Sequence, residues 1–252
     1  MEGLPIVVLD IETSPDISYV FGKKWEPTVV DYKEYSYILG FSALWLDGEH
    51  TTKTLLDYKD FKKDIHNDKS ITKELWNILN KAEMVIGFNS DRFDIKKINT
   101  RFAKWGLPPP QPYRSIDLIK TVRSRFDLPS NSLDFVLKYF GIGMKLENEQ
   151  GLFVKCVQGD KEAFEKLAPY NEHDTLETKL LYDKLLPWIN NHPNVDTYSS
   201  STVCPKCGSN NLQKRGFRYT NTSKYRSIWC KNCKGWSQSP LNQLEKRPLK
   251  SI

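Results

Sequence analysis

The chain has 252 residues, of which 39% are hydrophobic and 27% charged, a composition that supports a globular protein with a sizeable core. No apolar run approaches the ~20 residues that span a bilayer, and the start lacks the basic leader and cleavage site of a secretory signal. We therefore expect a soluble, cytoplasmic protein with no membrane partner. The net charge of +6 is uneven, because residues 196–252 carry eleven Lys and Arg against two acids. This basic tail would favour polyanions; the alternative is a solubilising surface.

The first part of the chain is predicted to form strands. Residues 5–12 have the composition of a buried strand, and the segment from Ser14 to Tyr35 after them is predicted to be irregular. Two more strands, over 36–46 and 50–58, are joined by Asp47-Gly48, a dipeptide typical of a tight hairpin turn.

Helices dominate the rest. A short buried strand is predicted at 84–89, and Pro169 should end or kink the last helix near Ala168. The predicted helices cover 70–83, 92–105, 115–126, 131–142 and 160–188. This order predicts an α/β fold, with an antiparallel ribbon and further parallel strands in one mixed sheet flanked by helices. A polar linker at 191–201 separates this domain, 1–190, from a small second domain, 202–252.

Two carboxylates interrupt the first strand. Asp10 and Glu12 are two positions apart, so strand alternation places them on one face. Like charges at that distance repel, and the pair needs a cation, a raised pKa on one member, or an exposed sheet edge.

Two later segments carry acids that could join this pair. Asp94 stands at the start of a predicted helix, where simple capping is the alternative interpretation. Tyr170 and Asp174 are one helical turn apart, and their alternative is an exposed acid beside a half-buried tyrosine. Four carboxylates meeting beside the first strand would suit magnesium or manganese. Two such ions about 4 Å apart can activate a water and stabilise the charge that builds on a phosphate, so phosphodiester hydrolysis is the expected reaction.

These segments resemble the motifs of the DEDD exonuclease superfamily, which has a ribonuclease H-like fold. The first motif, Asp-x-Glu followed by Thr, matches Asp10, Glu12 and Thr13. The second is similar to Asn-x-x-x-Phe-Asp at Asn89, Phe93 and Asp94, and the third to Tyr-x-x-x-Asp at Tyr170 and Asp174. The matches follow family order and cover residues 5 to about 188. The other branch of the superfamily has a catalytic histidine at the position that Pro169 occupies here. The chain therefore resembles the tyrosine branch.

The resemblance implies a role for each motif residue. Asp10 would bridge two metal ions, Glu12 and Asp174 would hold the ion on the nucleophile side, and Asp94 would support the second. Tyr170 would orient the attacking water, because a tyrosine with a pKa near 10 is a poor general base at neutral pH.

The resemblance also suggests how substrate is bound. Thr13 and Asn89 would lie near the 3′ terminal nucleotide, and mononucleotides would be released in the 3′ to 5′ direction. His173, adjacent to Asp174, points about 100° away on a helix and is interpreted as a bystander. The irregular segment is rich in aromatics, which could stack on a frayed strand, although packing over the sheet edge is favoured. These aromatics are Tyr19, Phe21, Trp25 and Tyr32.

Four of the five cysteines form two Cys-x-x-Cys pairs, while Cys156 stands alone and is predicted to be a core thiol. Four cysteine ligands with no open position make a closed structural zinc site, and a module of about 40 residues needs such a site to fold. The segment resembles a zinc ribbon, in which Gly208 suits the tight turn. The four ligands are Cys204, Cys207, Cys230 and Cys233.

Basic and aromatic residues interleave between the two cysteine pairs. Basic side chains can contact phosphates while aromatics stack on bases, and the alternative is a small core with solubilising charges. The basic residues are Lys214, Arg215, Arg218, Lys224 and Arg226.

Together these features predict a metal-dependent 3′ to 5′ exonuclease acting on DNA with a free 3′ end. Its cofactors would be two magnesium or manganese ions and one structural zinc. One alternative is a ribonuclease or a structure-selective endonuclease on the same scaffold. Another is a nucleic-acid-binding protein whose nuclease site is a relic.

Overall fold

The computed structural model describes residues 4–23, 28–146, 149–246 and 249. Trp25 and the end of the basic tail therefore lie outside the described residues. Within these ranges the main elements follow one another along the chain. They are β1 (Ile6–Thr13), β2 (Ile17–Phe21), β3 (Thr28–Glu34), β4 (Ile38–Trp45), β5 (His50–Thr54), α1 (Lys69–Lys81), β6 (Met84–Gly87), α2 (Asp94–Lys104), β7 (Arg114–Asp117), α3 (Leu118–Arg125), α4 (Leu133–Tyr139), α5 (Leu152–Val157), α6 (Lys161–Leu185), β8 (Leu212–Tyr219), β9 (Lys224–Cys230) and β10 (Trp236–Asn242).

A five-stranded mixed sheet forms the centre, in the order β5-β4-β1-β6-β7. β1 pairs antiparallel with β4 and parallel with β6, so it lies in the middle of the sheet. The predicted α/β fold, with an antiparallel ribbon continued by parallel strands and flanked by helices, is thus confirmed.

The two faces of β1 are buried under different helices. Val7, Leu9 and Ile11 pack with α1, α2, α5 and the start of α6. Ile6 and Val8 pack with α3, α4 and the end of α6. Strand alternation therefore directs positions 10 and 12 toward the second face, where α6 crosses the sheet. Cys156 is fully buried, and burial raises the pKa of its thiol to about 12.

Pro169 does not end the last helix, since α6 continues through it from Lys161 to Leu185. Proline removes one backbone donor, but position 169 is exposed and water can satisfy the carbonyl left without a partner. Both halves of α6 are fixed by core side chains, Phe164 in one cluster and Leu181 in the other. Tertiary packing thus overrides the helix-breaking tendency that the sequence indicated.

Three other local predictions differ from the structure. The helix expected over 115–126 begins only at Leu118, because residues 114–117 form β7 and pair with β6. The segment expected to be irregular forms the antiparallel hairpin β2–β3. The strand predicted over 50–58 is shorter, and 3₁₀ turns follow it.

The C-terminal part is a three-stranded antiparallel sheet, in the order β10-β9-β8, that packs on the main domain. The segment predicted as a linker contributes to this contact, because Val195 is buried and its amide donates to Pro205 O at 2.8 Å. Lys206 Nζ donates to Pro187 O at 2.7 Å. In the ranges described, no helix combines the length and the apolar character needed to cross a bilayer.

Candidate active site

Three carboxylates converge where β1 meets α6. Asp10 and Glu12 point from the end of β1, and Asp174 lies on α6. Each offers an oxygen within 4.8 Å of an oxygen from the other two. Residues separated by more than 160 positions thus form one acidic cluster.

Asp94 lies beside this cluster at the start of α2. Its Oδ1 accepts a hydrogen bond from the amide of Ile11 at 3.2 Å, which ties α2 to β1. Asp94 is not a member of the 4.8 Å group found among the residues described. The structure therefore places it at the edge of the cluster, near enough for its charge to raise the pKa of Asp10.

Burial and mutual repulsion make this cluster unfavourable as a set of bare charges. Burial, followed by the charges of Asp94 and Glu12, raises the pKa of Asp10 well above its ordinary value. Burial and Asp174 raise the pKa of Glu12 to about 8, and burial raises the pKa of Asp94 to about 7. Asp174 Oδ1 is buried without a hydrogen-bond partner in the described structure. An all-oxygen donor set of this kind fits a hard divalent cation.

Lys145 supplies a positive charge at the same place, and the sequence analysis missed it. Its Nζ lies 2.6 Å from Asp174 Oδ2 and donates to Tyr170 Oη at 3.4 Å. The ammonium thus partly compensates the carboxylates. Lys145 lies far along the chain from every motif, and residues 141–146 carry no sequence signal. The sequence alone therefore did not indicate its role.

The loop that carries Lys145 is held against α6. His173 Nε2 donates to Met144 O at 2.9 Å, so His173 faces this loop rather than the carboxylates. A Cβ added at Gly143 would lie 2.3 Å from a carboxylate oxygen of Glu177, so any larger residue there would require the Glu177 side chain to move.

Tyr170 lies beside the cluster, half-buried. Burial, followed by the charge of Asp174, raises the pKa of its hydroxyl above the ordinary value. The phenol therefore remains protonated at neutral pH and can donate a hydrogen bond, but it cannot act as a general base.

Asn171, the next residue, was also missed. Its Nδ2 donates to Asp10 Oδ2 at 2.6 Å, which fixes the orientation of that carboxylate. Only its position beside Tyr170 on the same helix could have indicated this contact.

Asn89 and Thr13 flank the cluster on two sides. Asn89 has a positive φ of 60°, and its amide donates to Asp117 Oδ1 at 2.7 Å, which holds the turn between β6 and α2. It lines a polar cavity of about 350 Å³ together with Asp10, Lys145 and Arg123.

Thr13 lines a second, more apolar cavity. This one has about 470 Å³ and includes Glu12, Phe93, Phe153 and Val154. The carboxylates therefore stand between a polar cavity and an apolar one.

The four paired cysteines form a second cluster. Sγ of Cys204 lies 3.6 Å from that of Cys233, and Sγ of Cys207 lies 3.6 Å from that of Cys230. All four sulfurs are within 4.8 Å of one another. A disulfide requires about 2.05 Å, whereas a tetrahedron with metal–sulfur bonds of about 2.3 Å has edges near 3.8 Å. The geometry fits a zinc site, and Gly208 has the positive φ of 70° expected for the turn.

The basic residues predicted to bind nucleic acid lie on β8 and β9, and several stack on aromatic rings. The Arg215 guanidinium lies 4.4 Å from the centre of the Trp229 ring. The Lys224 ammonium and the Arg226 guanidinium lie 4.1 and 4.0 Å from the centre of the Phe217 ring. Lys214 and Arg218 are exposed on β8. Among the residues described, none of the five forms an ion pair with an acid.

The chain belongs to the RNase H superfamily, since the family model described as RNase_H_2, RNase_H superfamily, matches residues 26–186. RNase H-like nucleases act on nucleic acids with divalent metals, in agreement with the acidic cluster. No curated protein matches the chain.

Among solved structures, 114 chains match. One is the family B DNA polymerase from the hyperthermophilic archaeon Pyrobaculum calidifontis, with a TM-score of 0.50 and 18% identity. The match covers 73% of this chain and 25% of that one, so the chain spans about a quarter of the polymerase. At this identity the likeness describes the fold alone.

Proposed function

We propose that the protein is a metal-dependent 3′ to 5′ exonuclease acting on DNA by a two-metal mechanism. The observation that carries this proposal is the convergence of the Asp10, Glu12 and Asp174 carboxylates, with ligand oxygens within 4.8 Å, between two cavities. Magnesium or manganese bound there would activate water and neutralise the charge that develops on the phosphate.

The chain's own residues supply the other parts of the reaction. Asp10, Glu12 and Asp174 would hold the metal ions, and Asp94 would support the second ion. Tyr170, kept protonated, donates a hydrogen bond that orients the attacking water. Asn171 holds the carboxylate of Asp10 in one orientation.

The linings of the two cavities suit the end of a nucleic-acid strand better than a continuous duplex. The apolar cavity beside Glu12 suits the base of a terminal nucleotide, with Thr13 close to its sugar. The polar cavity beside Asp10 has cations for backbone phosphates and includes Asn89. A strand passing from one to the other would carry its last phosphodiester across the carboxylates.

The cysteine module would hold one structural zinc and assist nucleic-acid binding. Its exposed cations can contact phosphates, and its rings can stack on bases. We assign it to a second domain over 202–252, after an exonuclease domain over 1–190.

The proposal is tested by a time course with manganese on 5′-labelled single-stranded DNA and RNA, each with an open or a blocked 3′ end. We expect a ladder that shortens from the open 3′ end of DNA and is absent for Asp10→Ala. Glu165→Gln, an exposed acid on α6, is the matched control and should behave as wild type. Cleavage of blocked ends, or of RNA alone, would replace the DNA exonuclease by an endonuclease or a ribonuclease. Binding without any cleavage would leave only a binding protein.

A further inference from the structure

The hairpin β2–β3, which directly follows the strand of Asp10 and Glu12, exposes a set of large aromatic side chains. We expected Tyr19, Phe21 and Tyr32 to pack over the sheet edge, but the structure exposes all three to solvent. Tyr32 and Tyr35 stack on each other, with ring centroids 5.2 Å apart. The exposed aromatics and their exposed fractions are Tyr19 (61%), Phe21 (75%), Tyr32 (43%) and Tyr35 (66%).

The neighbouring helix α2 presents cations toward the same region. Phe93, Lys96, Lys97 and Thr100 recur at helical spacing and share a face distinct from the one that buries Ile98. Arg92, Lys96 and Lys97 form no ion pair among the residues the structure describes. Three cations without an acidic partner, on and just before the start of α2, therefore give this region a local positive charge.

A cleft of about 440 Å³, a volume within the range of ligand sites, lies between this face of α2 and the chain at the base of the hairpin, and Tyr35 is the hairpin aromatic that lines it. Tyr35 and Phe93 supply rings, and Arg92, Lys96 and Lys97 supply cations. One acid, Asp16, also lines it, but its carboxylate already accepts a hydrogen bond from the Ser36 amide at 2.7 Å. The cleft therefore keeps a net positive charge beside exposed aromatic rings.

The cleft adjoins the candidate active site and shares lining residues with both of its cavities. Phe93 lines both this cleft and the apolar cavity that contains Glu12. Arg92 lines both this cleft and the polar cavity that contains Asp10. A chain molecule that occupies the active site can thus extend into the cleft.

We propose that this cleft, together with the hairpin aromatics, binds single-stranded nucleic acid next to the active site. Cations that contact phosphates, combined with rings that stack on bases, are the chemistry of single-strand recognition. Paired bases are already stacked on each other and cannot use the rings. The proposal rests on the proposed nuclease function, for which it specifies single strands as the substrate class.

The test measures binding without cleavage. Fluorescence anisotropy with a 20-nucleotide labelled oligothymidine, in buffer without magnesium, manganese or chelator and over a series of salt concentrations, compares wild type with Lys96→Gln/Lys97→Gln and with Tyr35→Ala. Lys62→Gln/Lys63→Gln, another exposed adjacent pair, and Tyr198→Ala, another exposed ring, are the matched controls. All mutated side chains are on the surface, and melting curves check that folding is unchanged.

We expect the lysine pair to lower the slope of log K against log salt by about 1.4, since each phosphate contact on a single strand contributes about 0.7. Tyr35→Ala should weaken single-strand binding about tenfold and leave blunt-duplex binding unchanged. Equal losses in the control variants, or no loss in either cleft variant, would overturn the proposal. Because no step requires cleavage, a chain that binds through this cleft yet cuts nothing would refute the nuclease function and keep the binding site.

Discussion

Asn171 Nδ2 lies 2.6 Å from Asp10 Oδ2 and joins two residues that are 161 positions apart. This contact orients a proposed metal ligand, and partners of that kind commonly contribute 10- to 100-fold to metal affinity or activity. We expect Asn171→Ala to raise the manganese concentration for half-maximal cleavage by about that factor. A titration of rate against manganese checks this, with Glu165→Gln as the control on the same helix. A fall in maximal rate without any change in manganese dependence would contradict the positioning role.

Lys145 and a divalent cation should compete for Asp174. The Lys145 ammonium lies 2.6 Å from Asp174 Oδ2, an oxygen that a bound cation would also need. We expect Lys145→Met to lower stability in buffer without manganese or magnesium by about 1–2 kcal/mol, because a hydrogen bond between charged groups is lost. Manganese should then raise the melting temperature of this variant more than that of wild type. Thermal melts with and without manganese measure both effects, with Lys138→Met as the exposed control; equal manganese shifts would refute the competition.

Asp68 is the acceptor in a fully buried polar network. It accepts hydrogen bonds from Arg101 Nε at 2.6 Å, from Trp105 Nε1 at 2.8 Å and from the Ile38 amide at 3.0 Å. We expect Asp68→Ala to cost about 3–5 kcal/mol of unfolding free energy, because Arg101 would stay buried without its partner. Urea unfolding measures the loss. The double variant Asp68→Ala/Arg101→Met should recover part of it, and failure to recover would show that other contacts dominate.

His192 should make stability depend on pH. Its Nδ1 lies 2.7 Å from Pro193 O, an acceptor only, so Nδ1 carries the proton and Nε2 accepts from Tyr182 Oη at 2.8 Å. Burial lowers the pKa of His192 below its ordinary value of 6.5. The unfolded chain therefore binds a proton as the pH falls through about 6.5, while the folded chain resists it.

This contribution to stability is present above pH 6.5 and is lost progressively below it. The slope reaches at most about 1.4 kcal/mol per pH unit. Urea unfolding between pH 5 and 8 should show a smaller slope for His192→Asn than for wild type. Metal content is followed at each pH, since protonation of the cysteine cluster would also destabilise the fold. Identical slopes at constant metal content would exclude His192 as the source.

Removal of the metal from the cysteine cluster should unfold the C-terminal sheet first. Among the residues of β8, β9 and β10 only Cys230 is buried, so little core would hold the three strands together. We expect a chelator or Cys207→Ser to increase amide exchange across these strands and to leave β1 and β4 protected. Cys156→Ala, which removes a thiol outside the cluster, should retain one zinc per chain. Protection of β8–β10 that survives complete metal loss would show that zinc is not structural.

Much of the fold could be predicted because its signals are local. The alternation in β1, the Asp47-Gly48 turn and the helical spacing of α1 and α2 each depend on a few adjacent residues. The prediction that Pro169 ends or kinks the helix was wrong because core packing at both ends of α6 holds the helix in place. No local sequence pattern shows that packing. The strand β7 has only four residues and depends on pairing with β6. The motif spacing indicated the acids that converge, whereas Lys145 and Asn171 contribute through contacts that exist only in three dimensions.

The distance along the chain between Asp10 and Asp174 has a consequence for synthesis. The loop between them can close only after the whole main domain has been made and α6 has docked on β1, and long-range contacts of this kind form late in folding. A nascent or partly folded chain has its first two carboxylates but lacks the third, together with Tyr170 and Asn171. The proposed cutting activity would therefore require a chain that is complete through α6 and folded.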